Sequence, residues 1–175
     1  DSKVVDADGK PLVVYHGTES AGFGVFDEDR SGSNTGRKFP GFYFTNHTLG
    51  AQTYSGTKRE AQVSDDPEFD ARYDGEPGNY SVYLNIRNPF EIDFEGRGWD
   101  GSNQDGGIDD EFHMDDVVRE AKANGYDGVI ASNVNDEGRH GQGYGWGDKT
   151  FVAFRPEQIK SATGNRGTYD PADPS

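Results

Sequence analysis

The amino-acid sequence predicts a mixed α+β fold, and three observations support that prediction. Apolar and polar residues alternate with the period of a β-strand in separate segments, among them 41–45 and 80–86. Another segment, 112–121, carries apolar residues at helical spacing. No Gly-x-Gly-x-x-Gly motif follows a strand and opens a helix, which argues against a doubly wound dinucleotide fold. We therefore expect small antiparallel sheets with flanking helices.

The first predicted element is a hairpin whose second strand ends on a histidine. Residues 3–5 and 12–15 have strand-like composition, and the turn at 6–9 contains the Asp and Gly residues that tight hairpin turns favour. His16 stands where the second strand would end, and Gly17 has no side chain to keep a ligand away from the backbone. His16 is therefore a candidate site residue, with a purely structural histidine as the alternative.

A second aromatic strand leads directly into a short helix. The segment 41–45 alternates as a strand, and its last residue, Thr45, or the following Asn can cap a helix from residue 47 to about residue 55. Tyr43 on the strand and Tyr54 on the helix are eleven residues apart, so their rings can face each other. Two such rings either pack as core or hold a flat ligand between them.

The middle of the chain is predicted to contain two strands and a loop. A break at Asn88-Pro89 divides one apolar stretch into strands at 80–86 and 90–94, because proline cannot donate to a sheet ladder. Residues 97–107 are expected to form a loop.

The helical segment is expected to begin near Asp109 and Asp110 and to stop at Asn124-Gly125. His113 is expected on the surface of this helix. Residues 129–131, which are all apolar, then predict a short buried strand.

A Gly-rich loop at 133–148 precedes the last predicted strand. It contains Arg139, Tyr144 and Trp146. Such side chains offer a large contact area, so the loop is a candidate recognition surface, with a simple connector as the alternative.

Composition disfavours several classes of protein. The chain has 32 Asp and Glu residues against 17 Lys and Arg residues, a net charge of −15, so nucleic-acid binding driven by phosphates is disfavoured. There is no cysteine, and the calcium-like pattern that opens at Asp27 has Lys38 where a Glu ligand is needed, so we expect no metal site. No apolar stretch reaches the length of a membrane helix. We expect one domain spanning 1–175, which begins without Met and is compatible with excision from a longer protein.

Several motifs in a fixed order carry a resemblance to a known family. The motifs Tyr15-His16-Gly17-Thr18 and Gly41-Phe42-Tyr43-Phe44-Thr45, with Tyr54, resemble the H-Y-E class of ADP-ribosyltransferases, the diphtheria-toxin and poly-ADP-ribose-polymerase type. The segments 125–130 and 154–161 are similar to segments of the ADP-ribosyltransferase domains in phage and prophage polyvalent proteins. The resemblance spans nearly the whole chain.

The resemblance implies split antiparallel β-sheets around an NAD cleft with flanking helices. It implies a mono-ADP-ribosyltransferase that takes NAD as a substrate, needs no metal and modifies an acceptor that is expected to be a protein. His16 would bind the adenosine ribose hydroxyl, and the Gly17 backbone would hold the nicotinamide carboxamide. Tyr43 and Tyr54 would stack on the nicotinamide ring. Thr18, Phe42 and Phe44 complete the implied NAD-binding set, and Arg139, Tyr144 and Trp146 the implied acceptor loop.

The chain departs from the family pattern at the third catalytic position. In that pattern the strand before segment 156–161 opens with a Glu, and counting back along the strand places Thr150 there. A Thr hydroxyl can hydrogen-bond but brings no charge to a developing cation. Asp148 or Glu137 could supply the acid instead, and the sequence does not decide between them. An NAD glycohydrolase and an inactive relative that binds NAD or a partner are therefore the alternative functions, and the expected location is the cytoplasm, its own or that of a host entered by a phage.

Overall fold

The computed structural model describes residues 1–18, 26, 41–47, 51, 78–103, 105–135 and 149–163. Within these ranges the chain forms nine strands, one α-helix and one 3-10 turn. In chain order they are β1 (Val14–Thr18), β2 (Phe42–Thr45), β3 (Gly78–Leu84), β4 (Pro89–Asp93), β5 (Asp100–Ser102), β6 (Ile108–His113), α1 (Met114–Ala123), β7 (Gly128–Ser132), β8 (Thr150–Ala153), the 3-10 turn Pro156–Gln158 and β9 (Ile159–Ser161).

Seven strands form one mixed sheet in the order β4-β7-β8-β2-β1-β3-β9, and β5 and β6 form a separate two-stranded sheet. Every neighbouring pair is antiparallel except β4 and β7, which are parallel. A parallel pair needs a long crossover connection, and here β5, β6 and α1 provide it. The structure thus joins the two expected antiparallel sheets into one and adds a parallel edge that strand alternation did not indicate.

The large sheet has a narrow junction in its middle. The strands β1 and β3 pair from Val14 to Thr18, and β2 and β8 pair from Phe42 to Thr45. Between β1 and β2, in contrast, the described residues give a single register pair, Tyr15 opposite Thr45. The two halves of the sheet therefore share little backbone pairing where β1 meets β2.

Two apolar clusters cover opposite faces of the sheet, as the period of two along each strand requires. On β2, Phe42 and Phe44 belong to the first cluster, whereas Tyr43 packs against the second. The second cluster includes the buried side of α1, and we call it the helix-side cluster. The first cluster comprises Val4, Val14, Phe42, Phe44, Val82, Leu84, Ile86, Phe151, Ala153 and Ile159, and the helix-side cluster comprises Phe94, Met114, Val117, Val118, Ala121, Val129, Ala131, Val134, Val152 and Phe154.

The helix α1 begins later than the sequence indicated. Asp109 and Asp110 lie in β6, because this segment pairs with β5 inside the stretch expected to be a loop. His113, expected on the helix surface, is the N-cap residue and is partly buried, with its ring centroid 6.4 Å from that of Trp99. The stop was predicted correctly: Asn124 is the C-cap, and Gly125 adopts a φ of 80°, a backbone angle that glycine tolerates best.

The N-terminal hairpin is shorter than expected, and β1 is longer. One isolated bridge joins Val5 to Pro11, and β1 starts only at Val14. It then continues to Thr18, because its pairing with β3 extends through His16 and Gly17. His16 therefore lies inside a strand, and the prediction that it marks the strand's end was wrong.

The start of the helix predicted after β2 is partly described. The Thr45 hydroxyl oxygen accepts a hydrogen bond from the His47 backbone N–H at 3.2 Å, as expected of a cap. Ala51 is helical and donates from its backbone N–H to the His47 carbonyl oxygen, also at 3.2 Å. The Asn46 side chain instead accepts a hydrogen bond from the Lys149 backbone N–H, which ties the end of β2 to the start of β8.

Candidate active site

His16 is held at the junction between β1 and β2. Its Nδ1 atom donates a hydrogen bond to the Tyr43 carbonyl oxygen at 2.8 Å, just past the point where the backbone pairing at Tyr15 ends. Its ring packs against Phe26 and Phe44, with centroid distances of 5.2 and 5.6 Å. The imidazole thus links β1 to the backbone of β2 through a side-chain hydrogen bond.

This contact decides what His16 can offer to a ligand. Because a carbonyl oxygen only accepts hydrogen bonds, Nδ1 carries a proton, and in the neutral ring Nε2 is the acceptor. Burial lowers the pKa of His16 from its ordinary value, and the hydrogen bond to Tyr43 opposes part of that change. At neutral pH the ring is therefore neutral, and Nε2 can accept a hydrogen bond from a hydroxyl.

The side chain of Tyr43 lies on the other face of the sheet, against the helix-side cluster. Its hydroxyl donates to Oδ1 of Asp115 on α1 at 3.4 Å. Burial raises the pKa of Tyr43, and the charge and hydrogen bond of Asp115 raise it further, so the phenol stays protonated. The structure brings His16 to the backbone of Tyr43, while the two rings pack against different clusters.

Thr150 is the first residue of β8, so the expectation that the strand before segment 156–161 opens there is confirmed. It pairs with Thr45 on one side and Ala131 on the other. Because side chains alternate along a strand, Thr150 shares a face with Val152, which packs in the helix-side cluster with Tyr43. The register of β8 therefore puts the Thr150 side chain on the face of the sheet that carries the Tyr43 ring.

Asp115 is a residue near Tyr43 that the sequence reasoning missed. It stands in the first turn of α1 and is partly buried. The sequence contained one usable signal, since acidic residues favour the first turn of a helix. That signal was assigned to Asp109 and Asp110 because the start of the helix was placed too early.

The remaining predicted site residues fall into two groups. Gly17 pairs with Asn79 on β3, and Thr18 is 7% exposed. Phe42 and Phe44, at 5% and 2% exposure, are buried and pack β2 against the first cluster. Tyr54, Glu137, Arg139, Tyr144, Trp146 and Asp148 lie outside the described residues.

A surface pocket of about 260 Å³ lies at the β4 end of the sheet. It is away from His16 and Tyr43, and no predicted site residue lines it. The pocket is lined by Glu91, Ile92, Asp93, Ile130, Ser132 and Lys149.

No three His, Cys, Asp or Glu side chains come together as metal ligands in the described ranges. None of the helices among these residues has the length and apolarity that crossing a membrane requires.

One buried side chain, that of Gln158, joins two of the motifs singled out in the sequence. Its Oε1 atom accepts from the backbone N–H groups of Phe154 and Arg155 at 3.0 and 2.9 Å. Its Nε2 atom donates to the carbonyl oxygens of Asn85 and Asp127 at 3.2 and 2.8 Å. At 2% exposure, Gln158 fastens the 3-10 turn to the loop between α1 and β7.

The motif around Asp127 also serves the fold. The Asp127 carboxylate accepts hydrogen bonds from the backbone N–H groups of Arg87 and Asn88, both at 2.8 Å. At Gly128 a Cβ atom would lie 2.8 Å from the Ile86 side chain and from the Val152 carbonyl oxygen, so only glycine fits without displacement. These motif residues therefore build the sheet that carries the candidate site.

The fold and the placement of His16 are compatible with one class of protein. A mixed sheet with one described helix, and a histidine tied to the tyrosine strand, are consistent with an ADP-ribosyltransferase-like fold. The sequence profile of the family described as ADP-ribosyltransferase in polyvalent proteins matches residues 6–169 of the chain. This chain belongs to that family, as the motifs indicated. The comparisons of this chain with curated proteins and with solved structures found no match.

Proposed function

We propose that this chain is a mono-ADP-ribosyltransferase that cleaves NAD at the nicotinamide bond and transfers ADP-ribose to a protein acceptor. Family membership supports the general activity. The observation that carries the proposal is the hydrogen bond of His16, whose Nδ1 donates to the Tyr43 carbonyl oxygen at 2.8 Å. This leaves Nε2 as an acceptor beside Gly17, where β1 and β2 stop pairing.

The proposed contacts with NAD follow the roles that the family resemblance gives to residues of β1 and β2. A ribose hydroxyl of the adenosine half donates to Nε2 of His16, and the Gly17 backbone binds the carboxamide. Tyr43 supplies one aromatic surface for the nicotinamide ring, and Tyr54, outside the described residues, supplies the other. NAD held at both ends in this way exposes its anomeric carbon to an acceptor.

The transfer then exchanges one bond for another. The bond from the anomeric carbon to the nicotinamide nitrogen breaks, and its electron pair stays on the nitrogen, so the cationic ring leaves as neutral nicotinamide. The carbon becomes oxocarbenium-like until a nucleophilic atom of the acceptor bonds to it and releases its proton to solvent. Thr150 brings no charge to this cation, so we expect slower turnover than in transferases with a Glu.

The proposal is tested by incubating the protein with NAD labelled in its adenosine half. Nicotinamide release, free ADP-ribose and protein-linked label are measured for the wild type, His16→Ala and Tyr54→Ala. We expect each variant to lose about tenfold or more in turnover, since each removes a contact that orients NAD. Tyr83→Ala is the control, because Tyr83 lies opposite Lys160 at the far edge of the sheet.

The products separate the alternatives. Free ADP-ribose without protein-linked label identifies a glycohydrolase. NAD binding measured by calorimetry without nicotinamide release identifies an inactive binder. This outcome is tested because Thr150 brings no charge to the developing cation. If His16→Ala unfolds the protein while its folded fraction keeps wild-type turnover, His16 is structural and the proposed site is wrong.

A further inference from the structure

The contact between Tyr43 and Asp115 links the candidate nicotinamide surface to α1. The Tyr43 hydroxyl and Oδ1 of Asp115 are 3.4 Å apart, at the long end of hydrogen-bond distances. The phenol is protonated at neutral pH and therefore donates to the carboxylate. A bond that runs from β2 to α1 fixes the hydroxyl end of the Tyr43 side chain and so restrains where its ring lies.

Two adjacent aspartates of α1 face different surroundings. Asp115 is partly buried and reaches Tyr43, whereas Asp116 is exposed and forms an ion pair with Arg119 one turn later. Both stand in the first turn of the helix, where the helix dipole favours negative charge equally. A change at Asp115 can therefore be compared with the same change at its neighbour.

We propose that Asp115 is a positioning residue that orients the Tyr43 ring for stacking on the nicotinamide of NAD. This inference rests on the proposed function. A phenol that donates to a carboxylate also carries more negative charge on its ring face, which strengthens its contact with a cationic ring. The nicotinamide ring is cationic in NAD and neutral after release. Asp115 therefore favours binding of intact NAD over binding of free nicotinamide.

The test measures the dissociation constants of NAD and of free nicotinamide by calorimetry for the wild type, Asp115→Asn and Asp116→Asn. Asp115→Asn is expected to weaken NAD binding by roughly tenfold, in the range of a hydrogen bond to a charged group, and nicotinamide binding by less than about twofold. Asp116→Asn is expected to change neither constant. The KM for NAD is expected to rise more than kcat falls in Asp115→Asn.

A second variant approaches the same contact from its other end. Tyr43→Phe keeps the ring and removes the donor, so it is expected to reduce the preference for NAD as Asp115→Asn does. Adding Asp115→Asn to Tyr43→Phe is expected to cause no further loss, because the two groups act as one unit. Tyr43→Phe still tests the contact if Asp115→Asn fails to fold.

The outcomes separate this inference from the proposal on which it rests. A wild-type protein that does not bind NAD overturns both. A wild type that binds NAD, with Asp115→Asn equal to Asp116→Asn or additive with Tyr43→Phe, overturns the role of Asp115 alone. Equal weakening of NAD and nicotinamide binding also overturns it, since a merely structural loss would not depend on the charge of the ring.

Discussion

His16 and Gln158 both form hydrogen bonds from their side chains to backbone groups of distant segments. His16 bonds to the Tyr43 carbonyl oxygen at 2.8 Å, and Gln158 bonds to four backbone groups in three segments. Both side chains join parts of the chain that are far apart in sequence. At the scale of single residues, the candidate site is therefore built on polar contacts whose partners the sequence does not name.

Replacing Gln158 by Ala is expected to destabilise the protein by on the order of 3 kcal/mol, because buried backbone groups lose their partners. Unfolding in urea measures the change. Glu157→Ala is the control, since Glu157 lies in the same 3-10 turn but makes an exposed ion pair with Arg155 at 3.3 Å. An effect of Gln158→Ala no larger than that of Glu157→Ala would show that water replaces the lost bonds.

The strand β8 shows how one element serves two faces. Thr150 and Val152 share the face of the helix-side cluster, whereas Phe151 and Ala153 belong to the first cluster. Lys149, one residue before β8, lines the pocket on the Ile130 side instead. A charged side chain introduced at residue 150 therefore points to the face of the helix-side cluster. One introduced at residue 149 points to the opposite face of the sheet.

Thr150→Glu is expected to increase nicotinamide release by about tenfold or more, because it restores a carboxylate beside the developing cation. Lys149→Glu is the matched control and is expected to leave the rate unchanged. Single-turnover assays with NAD measure both rates. A folded Thr150→Glu protein no faster than its parent would contradict the assignment of Thr150 to the third catalytic position.

The strands β2 and β8 and the end of α1 could be predicted from the sequence, whereas β5, β6 and the start of α1 could not. Buried and half-buried residues alternate along β2, whereas β8 is a short apolar run that is buried on both faces. In β6 the residues from Ile108 to Glu111 are mostly exposed, so no buried stripe marks that segment as a strand. Its structure depends on pairing with β5, which local patterns do not report.

At the scale of the whole molecule, the titrations of two aspartates and of His16 affect stability in different pH ranges. Hydrogen bonds, chiefly from Asn133 and Ser102 respectively, lower the pKa values of Asp93 and Asp100 from their ordinary value of 3.8. The stability that these carboxylates contribute is therefore lost only at acid pH, below that value. The pKa of His16 is lowered from 6.5, chiefly by burial. Below pH 6.5 the unfolded chain therefore binds a proton that the folded chain resists.

Stability of the wild type is expected to fall as the pH decreases from 7.5 to 5.5, and His16→Gln is expected to lose less over the same interval. The sign follows because a depressed histidine pKa gives full stability above the unfolded pKa and a progressive loss below it. Urea unfolding of both proteins at several pH values measures the difference. Parallel pH dependence of the two proteins would mean that His16 keeps an ordinary pKa in the folded state.

The sequence by itself determined the family, the α+β class, the strand opening at Thr150 and the histidine and first tyrosine of the candidate site, because ordered motifs and local alternation are written along the chain. Only the tertiary structure decided that β4 and β7 run parallel, that His16 lies inside β1 with Nδ1 on Tyr43, and that Asp115 reaches the Tyr43 hydroxyl. These contacts join residues 27 and 72 positions apart along the chain. A local pattern shows which face a side chain takes, whereas the partner it meets there depends on how distant elements pack.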